Sequence, residues 1–126
     1  MAKSRPRWKK RLEPQDRQAA LRFLSLQFTQ ATTQSLIDKA RRTPCIEHIA
    51  KDLLRASNLP LLTADEKHVA EDLKRIRKGK PLAPVLMIQG DVTRNRPVVI
   101  ADGYHRICAT CHADEDAPVA VVLVRW

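Results

Sequence analysis

Aromatic side chains are scarce: two Trp, two Phe and one Tyr make up only 4% of the 126 residues. The core must therefore be aliphatic. No apolar run approaches the roughly 20 residues that a membrane-spanning helix requires, so no membrane partner is expected. The basic opening, MAKSRPRWKKRLEP, is not followed by the apolar stretch and cleavage site of a secretory signal, which predicts a cytoplasmic location. Cysteine is sparse as well. Three residues, an odd number with no secretory context, point to reduced thiols rather than a disulfide frame. Acidic residues are outnumbered 14 to 23 by Lys and Arg, for a net charge of +9.

That excess is uneven. Residues 1–80 carry 19 Lys/Arg against 9 Asp/Glu, whereas residues 81–126 carry 4 against 5. The basic character belongs to the N-terminal part, which suits either attraction to a polyanion or a solvated surface with no dedicated partner.

The length suits one domain. Residues 1–12 read as a basic disordered tail, with Lys3, Arg5, Arg7, Lys9, Lys10 and Arg11 as candidate contacts to nucleic-acid phosphates and Trp8 as a surface anchor. A helical extension is predicted over residues 13–57. Leu21, Leu24, Phe28, Leu36, Ile37 and Ala40 recur at helical spacing, with a break suggested at Thr32-Thr33. Thr43-Pro44 then reads as the start of a further helix, with Ile46, Ile49, Leu53 and Leu54 as its buried stripe.

From residue 58 the pattern changes. Thr63 and Glu66 form a capping box for a helix over 64–78 that stops at Gly79. The β-rich runs 84–89 and 97–101 read as a hairpin, followed by a helix over 104–113 and a buried strand over 118–124. The fold class is thus α+β: a helical N-terminal half, then helix–strand–strand–helix–strand.

One string admits conflicting readings: DGYHRICATCH, Asp102 to His112. Its C-x-x-C-H portion matches covalent haem attachment. That chemistry needs export to an oxidising compartment, so no haem is expected. Zinc could draw on Cys108, Cys111 and His112, with His105 one turn earlier. Structural zinc usually pairs two knuckles, however, and Cys45 is the only other cysteine. Cysteines packed as small hydrophobes are the favoured reading, and no metal ligand is assigned.

The first half of the string is more informative. A strand runs into Asp102-Gly103, and a helix follows at once. Gly103 permits a positive φ or close approach of a ligand, and the first-turn amides of Tyr104, His105 and Arg106 lack intrahelical partners. Arg106 adds a fork that matches phosphate, and His105 another donor. These residues make a candidate anion site, although Arg106 could instead be held in a salt bridge with Asp114 or Asp116.

The stretch from Pro81 to Val124, with KPLAPVLMI, RPVVIADGYHRICAT and APVAVVLV, resembles the ParB/sulfiredoxin-like superfamily over residues 58–125. Gly103, Arg106 and Ala109 match that family's Gly-x-x-Arg-x-x-Ala turn. The resemblance implies a turn-and-helix that binds nucleotide phosphates, of CTP in partition proteins and of adenine nucleotides in sulfiredoxins and a free serine kinase. Two departures narrow it. Sulfiredoxins carry a catalytic Cys where Tyr104 stands, so sulfiredoxin activity is not expected. Partition clamps place an acid and an Arg at the positions of Tyr104 and His105, so a partition-type clamp is not expected.

The leading expectation is a nucleotide-binding protein for ATP, ADP or CTP. Gly103, Tyr104, His105 and Arg106 would hold the phosphates and Mg²⁺ would bridge them. If it is an enzyme, phosphoryl transfer or nucleotide hydrolysis is the class, with Asp102 and His105 as the catalytic candidates. Asp102 reads equally well as a helix cap or turn residue, and Tyr104 as a packing side chain. The alternative is a non-catalytic nucleic-acid-binding module that uses the basic N-terminal half. A cluster at Lys74, Arg75, Arg77, Lys78 and Lys80 would extend its patch or simply solvate a helix. A nuclease ranks last, because no carboxylate cluster for two metals is apparent.

Overall fold

A computed structural model describes residues 5–126. In chain order the elements are α1 (Pro14–Leu24), α2 (Gln30–Arg42), β1 (Ile46–Ile49), α3 (Ala50–Ser57), α4 (Lys67–Arg77), β2 (Val85–Ile88), β3 (Val99–Asp102), α5 (Tyr104–Ala113) and β4 (Pro118–Val124). A short 3₁₀ turn at Val92–Arg94 links β2 to β3. The fold is α+β.

The four strands form one mixed sheet in the order β1-β4-β2-β3. β4 runs antiparallel to β1 and parallel to β2, and β2 and β3 form the expected antiparallel hairpin. The two central strands explain their own composition. All four residues of β2 are buried and β4 is an unbroken apolar run after Pro118, as strands covered on both faces require. Val85, Met87, Val119 and Val121 face a core shared with α3, α4 and α5. Leu86, Ile88, Val122 and Val124 face a second core beneath α1 and α2.

Several N-terminal elements differ from the sequence reading. Residues 46–49 are an exposed edge strand, and the following helix begins only at Ala50. The free edge of β4 supplies ladder partners for β-branched Ile46 and Ile49, and that long-range pairing overrides the local helical spacing. Thr43 closes α2 instead of opening a helix: its hydroxyl donates to Lys39 O at 2.7 Å, and Pro44 follows as the stop. The break before α2 falls at residues 25–29, not at Thr32-Thr33. Thr29 caps the helix by accepting the Thr32 amide at 3.2 Å.

α4 starts three residues later than the capping box implies. Glu66 is itself the cap, accepting from the Val69 amide at 2.9 Å, while Thr63 bonds to Asp65. At the other end Gly79 has φ +70°, and Lys80 N donates to Arg75 O at 3.0 Å, closing the helix as a Schellman turn.

The basic tail is another correction. Lys3 lies outside the described residues, but residues 5–12 pack on the sheet domain. Trp8 forms a parallel bridge with Leu82, framed by Lys9 N to Leu82 O at 2.8 Å and Leu82 N to Arg7 O at 2.7 Å. The Trp8 indole donates to Pro118 O at 3.1 Å, and Leu12 is buried in the α1–α2 core. One indole and one leucine anchor a segment whose charge alone suggested disorder. Among the described residues, no helix is long and apolar enough to cross a membrane.

Candidate anion-binding cleft

The β3–α5 junction is built around one glycine. β3 delivers Asp102, Gly103 turns the chain at φ +106°, and α5 starts at Tyr104. A Cβ on residue 103 would lie 2.8 Å from Val85 Cβ, so backbone angle and packing both demand glycine. With no side chain to cap the helix, the first-turn amides open outward at the positive end of its dipole.

Arg106 lies one turn on and is fully engaged. Its Nη2 donates to Asp102 Oδ2 at 2.7 Å, and its Nη1 donates to Asp16 Oδ1 at 3.4 Å. The three side chains are only 13%, 18% and 14% exposed. The anticipated pairing of Arg106 with Asp114 or Asp116 does not occur. Asp114 receives Arg5 at 3.2 Å, and Asp116 pairs with Lys51 at 2.7 Å.

Two carboxylates therefore share one guanidinium. Asp16 Oδ2 is buried without a hydrogen-bond partner. Burial, reinforced by the neighbouring Asp16 and opposed by Arg106, raises the Asp102 carboxyl to about 6. On α4, burial also raises Asp72 despite Arg106 and Arg75 nearby, with Arg75 Nη1 at 3.8 Å.

These groups line a cleft of about 240 Å³. Asp16, Glu71, Asp72 and Asp102 bring negative charge, while Arg75 and Arg106 answer it from the same walls. His105 and His68 stand at its edge with ring centroids 4.8 Å apart, and His105 Nε2 is 3.8 Å from Glu66 Oε2. A second cavity of about 520 Å³ shares Asp16, Arg75 and Arg106 and extends past Lys9, Lys80 and Leu82.

Of the predicted phosphate ligands, Gly103, His105 and Arg106 line the cleft. Tyr104 does not: its hydroxyl donates to Pro60 O, and it packs on the α3–α5 core. The rest of the motif faces the same way. His112 Nε2 contacts Leu62 O at 2.7 Å, and the Cys108 thiol takes a hydrogen bond from the Leu62 backbone. Tyr104, Cys108 and His112, spaced by four residues, strap the 59–62 segment to α5. Burial raises the Cys108 thiol and pushes Cys111 up to about 11, so both sulfurs are held protonated. Among the described residues, no three His, Cys, Asp or Glu side chains are grouped to hold a metal ion.

Sequence reasoning missed Asp16, Glu71, Asp72 and His68. Asp72 had a signal, because it sits with Val69, Leu73 and Ile76 on the apolar stripe of α4, where a carboxylate needs a reason. Asp16 had none.

The predicted nucleic-acid residues scatter. Arg5 is paired with Asp114, Arg7 donates to Gly79 O at 3.2 Å, and Lys9 is bonded to Glu13. Only Lys10 and Arg11 lack such contacts among the described residues, and they line a separate cleft with Lys9. Comparison of the chain with protein-family models, curated proteins and solved structures gives no match.

Proposed function

We propose that the β3–α5 cleft binds the phosphates of a nucleotide, ATP, ADP or CTP, carried as its Mg²⁺ complex. The observation that carries this reading is the uncapped N-terminus of α5 at Gly103, opening into a cleft that also holds Arg75, Arg106, His68 and His105. The order α4–β2–β3–α5–β4 and the Gly103-x-x-Arg106-x-x-Ala109 turn support a place beside the ParB/sulfiredoxin-like proteins. The adjoining 520 Å³ cavity offers room for the nucleoside.

The charge of the cleft argues for a metal complex over a bare anion. Four carboxylates against two guanidiniums repel an uncompensated polyphosphate. Asp16, with a buried oxygen lacking any partner, and Asp102 fit the usual mode of Mg²⁺, in which one or two carboxylates are joined by phosphate oxygens. Bound there, the ion would neutralise phosphate charge. Where Asp16 alone holds the ion, Asp102, with its proton affinity raised to about 6, suits a general base near neutrality, and His105 a donor to phosphate. Free thiols and a nucleotide ligand both suit the cytoplasm.

Thermal-shift titration with ATP, ADP, CTP and pyrophosphate, each with and without Mg²⁺, tests the reading. At least one nucleotide should stabilise the wild type only with Mg²⁺, and Arg75→Ala or His105→Ala should weaken that effect without changing the unliganded midpoint. No stabilisation by any of the four would sink it. Phosphate release from a bound triphosphate that disappears in Asp102→Asn would make the protein a hydrolase; binding without release would make it a sensor or carrier.

A further inference from the structure

A larger cavity lies elsewhere. A cleft of about 840 Å³ is walled on one side by residues 8–12 and on the other by the end of α2 and residues 43–45. Its base is lined by Ala120 and Val122 of β4, both buried. It shares no residue with the β3–α5 cleft and only Lys9 with the cavity adjoining it.

Besides Lys9, which is bonded to Glu13, five cations converge on it from three segments: Lys10 and Arg11, Arg17 of α1, and Arg41 and Arg42 at the end of α2. Among the described residues, none of the five forms an ion pair, and Glu47 is the one acidic residue in the lining. Lys10, Arg11, Arg41 and Arg42 are exposed. Favourable interaction with the helix dipole accounts for basic residues at the end of α2, but not for Lys10, Arg11 and Arg17 gathered opposite them.

We propose that this cleft binds the backbone of a single-stranded nucleic acid. Four of the five cations are arginines, and the planar arginine fork matches phosphate oxygens. The cleft lies between two basic walls, so a single strand running along it can direct phosphates to both. A duplex would meet only the rim. The floor offers no hydrogen-bonding side chain to base edges, so binding is indifferent to sequence. The net charge of +9 draws a polyanion in from a distance.

The test is fluorescence anisotropy of the full chain with a labelled 15-nucleotide oligouridylate, titrated across salt concentrations. Arg41→Gln/Arg42→Gln and Lys10→Gln/Arg11→Gln strip the two walls in turn. Lys74→Gln/Lys78→Gln, at exposed positions in α4 and at its C-cap, removes the same charge elsewhere. Each wall variant should bind at least tenfold more weakly, and its log–log salt slope should fall by about 1.4, the value for two lost phosphate contacts on a single strand. The α4 variant should stay within twofold of wild type. Equal losses in all three variants, or none in either wall variant with circular dichroism unchanged, would overturn the proposal. So would displacement of the oligonucleotide by polyglutamate at equal charge concentration, which would assign the cleft to an acidic protein segment. Nucleotide-dependent thermal shifts at the β3–α5 cleft are read separately and can fail or succeed independently.

Discussion

The two clefts handle charge in opposite ways. At β3–α5, Arg106 is buried and held by two carboxylates, so its charge serves first to let Asp16 and Asp102 exist inside the fold. In the N-terminal cleft Lys10, Arg11, Arg41 and Arg42 are exposed and, among the described residues, form no ion pair. A buried, saturated network fixes geometry and makes stability sensitive to each member. An exposed, unsaturated one contributes little to folding and remains available to a partner. Lys9 lines both the N-terminal cleft and the cavity that adjoins the β3–α5 cleft.

Removing the shared cation tests this contrast most severely. Arg106→Ala leaves Asp16 and Asp102 facing each other without a counter-charge and is expected to cost about 3–5 kcal/mol in urea unfolding at neutral pH. A loss below about 1 kcal/mol would show that the network is not structural. Next comes the wall between the clefts: Leu12→Ala is expected to cost about 2–3 kcal/mol, because that side chain is buried in the α1–α2 core. An unchanged midpoint would return the segment to the status of a tail.

Asp102→Asn should have a smaller, pH-dependent effect. In the folded protein Asp102 holds its proton up to about 6, against an ordinary value of 3.8. The native state therefore binds more protons between those limits. The stability this confers is complete below about 3.8 and is lost as pH rises through 6. The asparagine variant should lack that dependence and exceed wild type in stability at pH 7.5, measured by urea unfolding at pH 4, 5, 6 and 7.5. A wild-type profile that rises with pH across this window, after subtraction of the variant, would contradict the assignment. Arg42→Gln, in the open cleft, should change stability by no more than about 0.5 kcal/mol. A larger loss by thermal unfolding would mean that these cations are structural after all.

How much of this could be read from the sequence depended on how far each partner lies along the chain. α5 and the β2–β3 hairpin were legible because their signals are local: a glycine turn, then a helix, and two short β-rich runs. Gly103 and Arg106 were legible for the same reason. β1 was not, because its strand state rests on pairing Ile46 with Val121. Asp16 was not either, since it meets Arg106 across 90 residues and nothing near Pro14 announces that contact. The tail was misread because composition counts charges, whereas a single Trp8 and Leu12 decide where the segment lies. The CATCH string drew attention through its spacing, yet its side chains serve to tie down residues 59–62.

The docking of residues 5–12 has a consequence for assembly during synthesis. Trp8 is made well before Leu82, its bridge partner, and before Pro118, whose carbonyl lies 110 residues downstream. The segment must wait, basic and unplaced, until β4 has been made and the sheet has closed. Until then one wall of the large cleft does not exist. The growing chain thus cannot offer that cleft to any polyanion at the ribosome, and only the finished fold can.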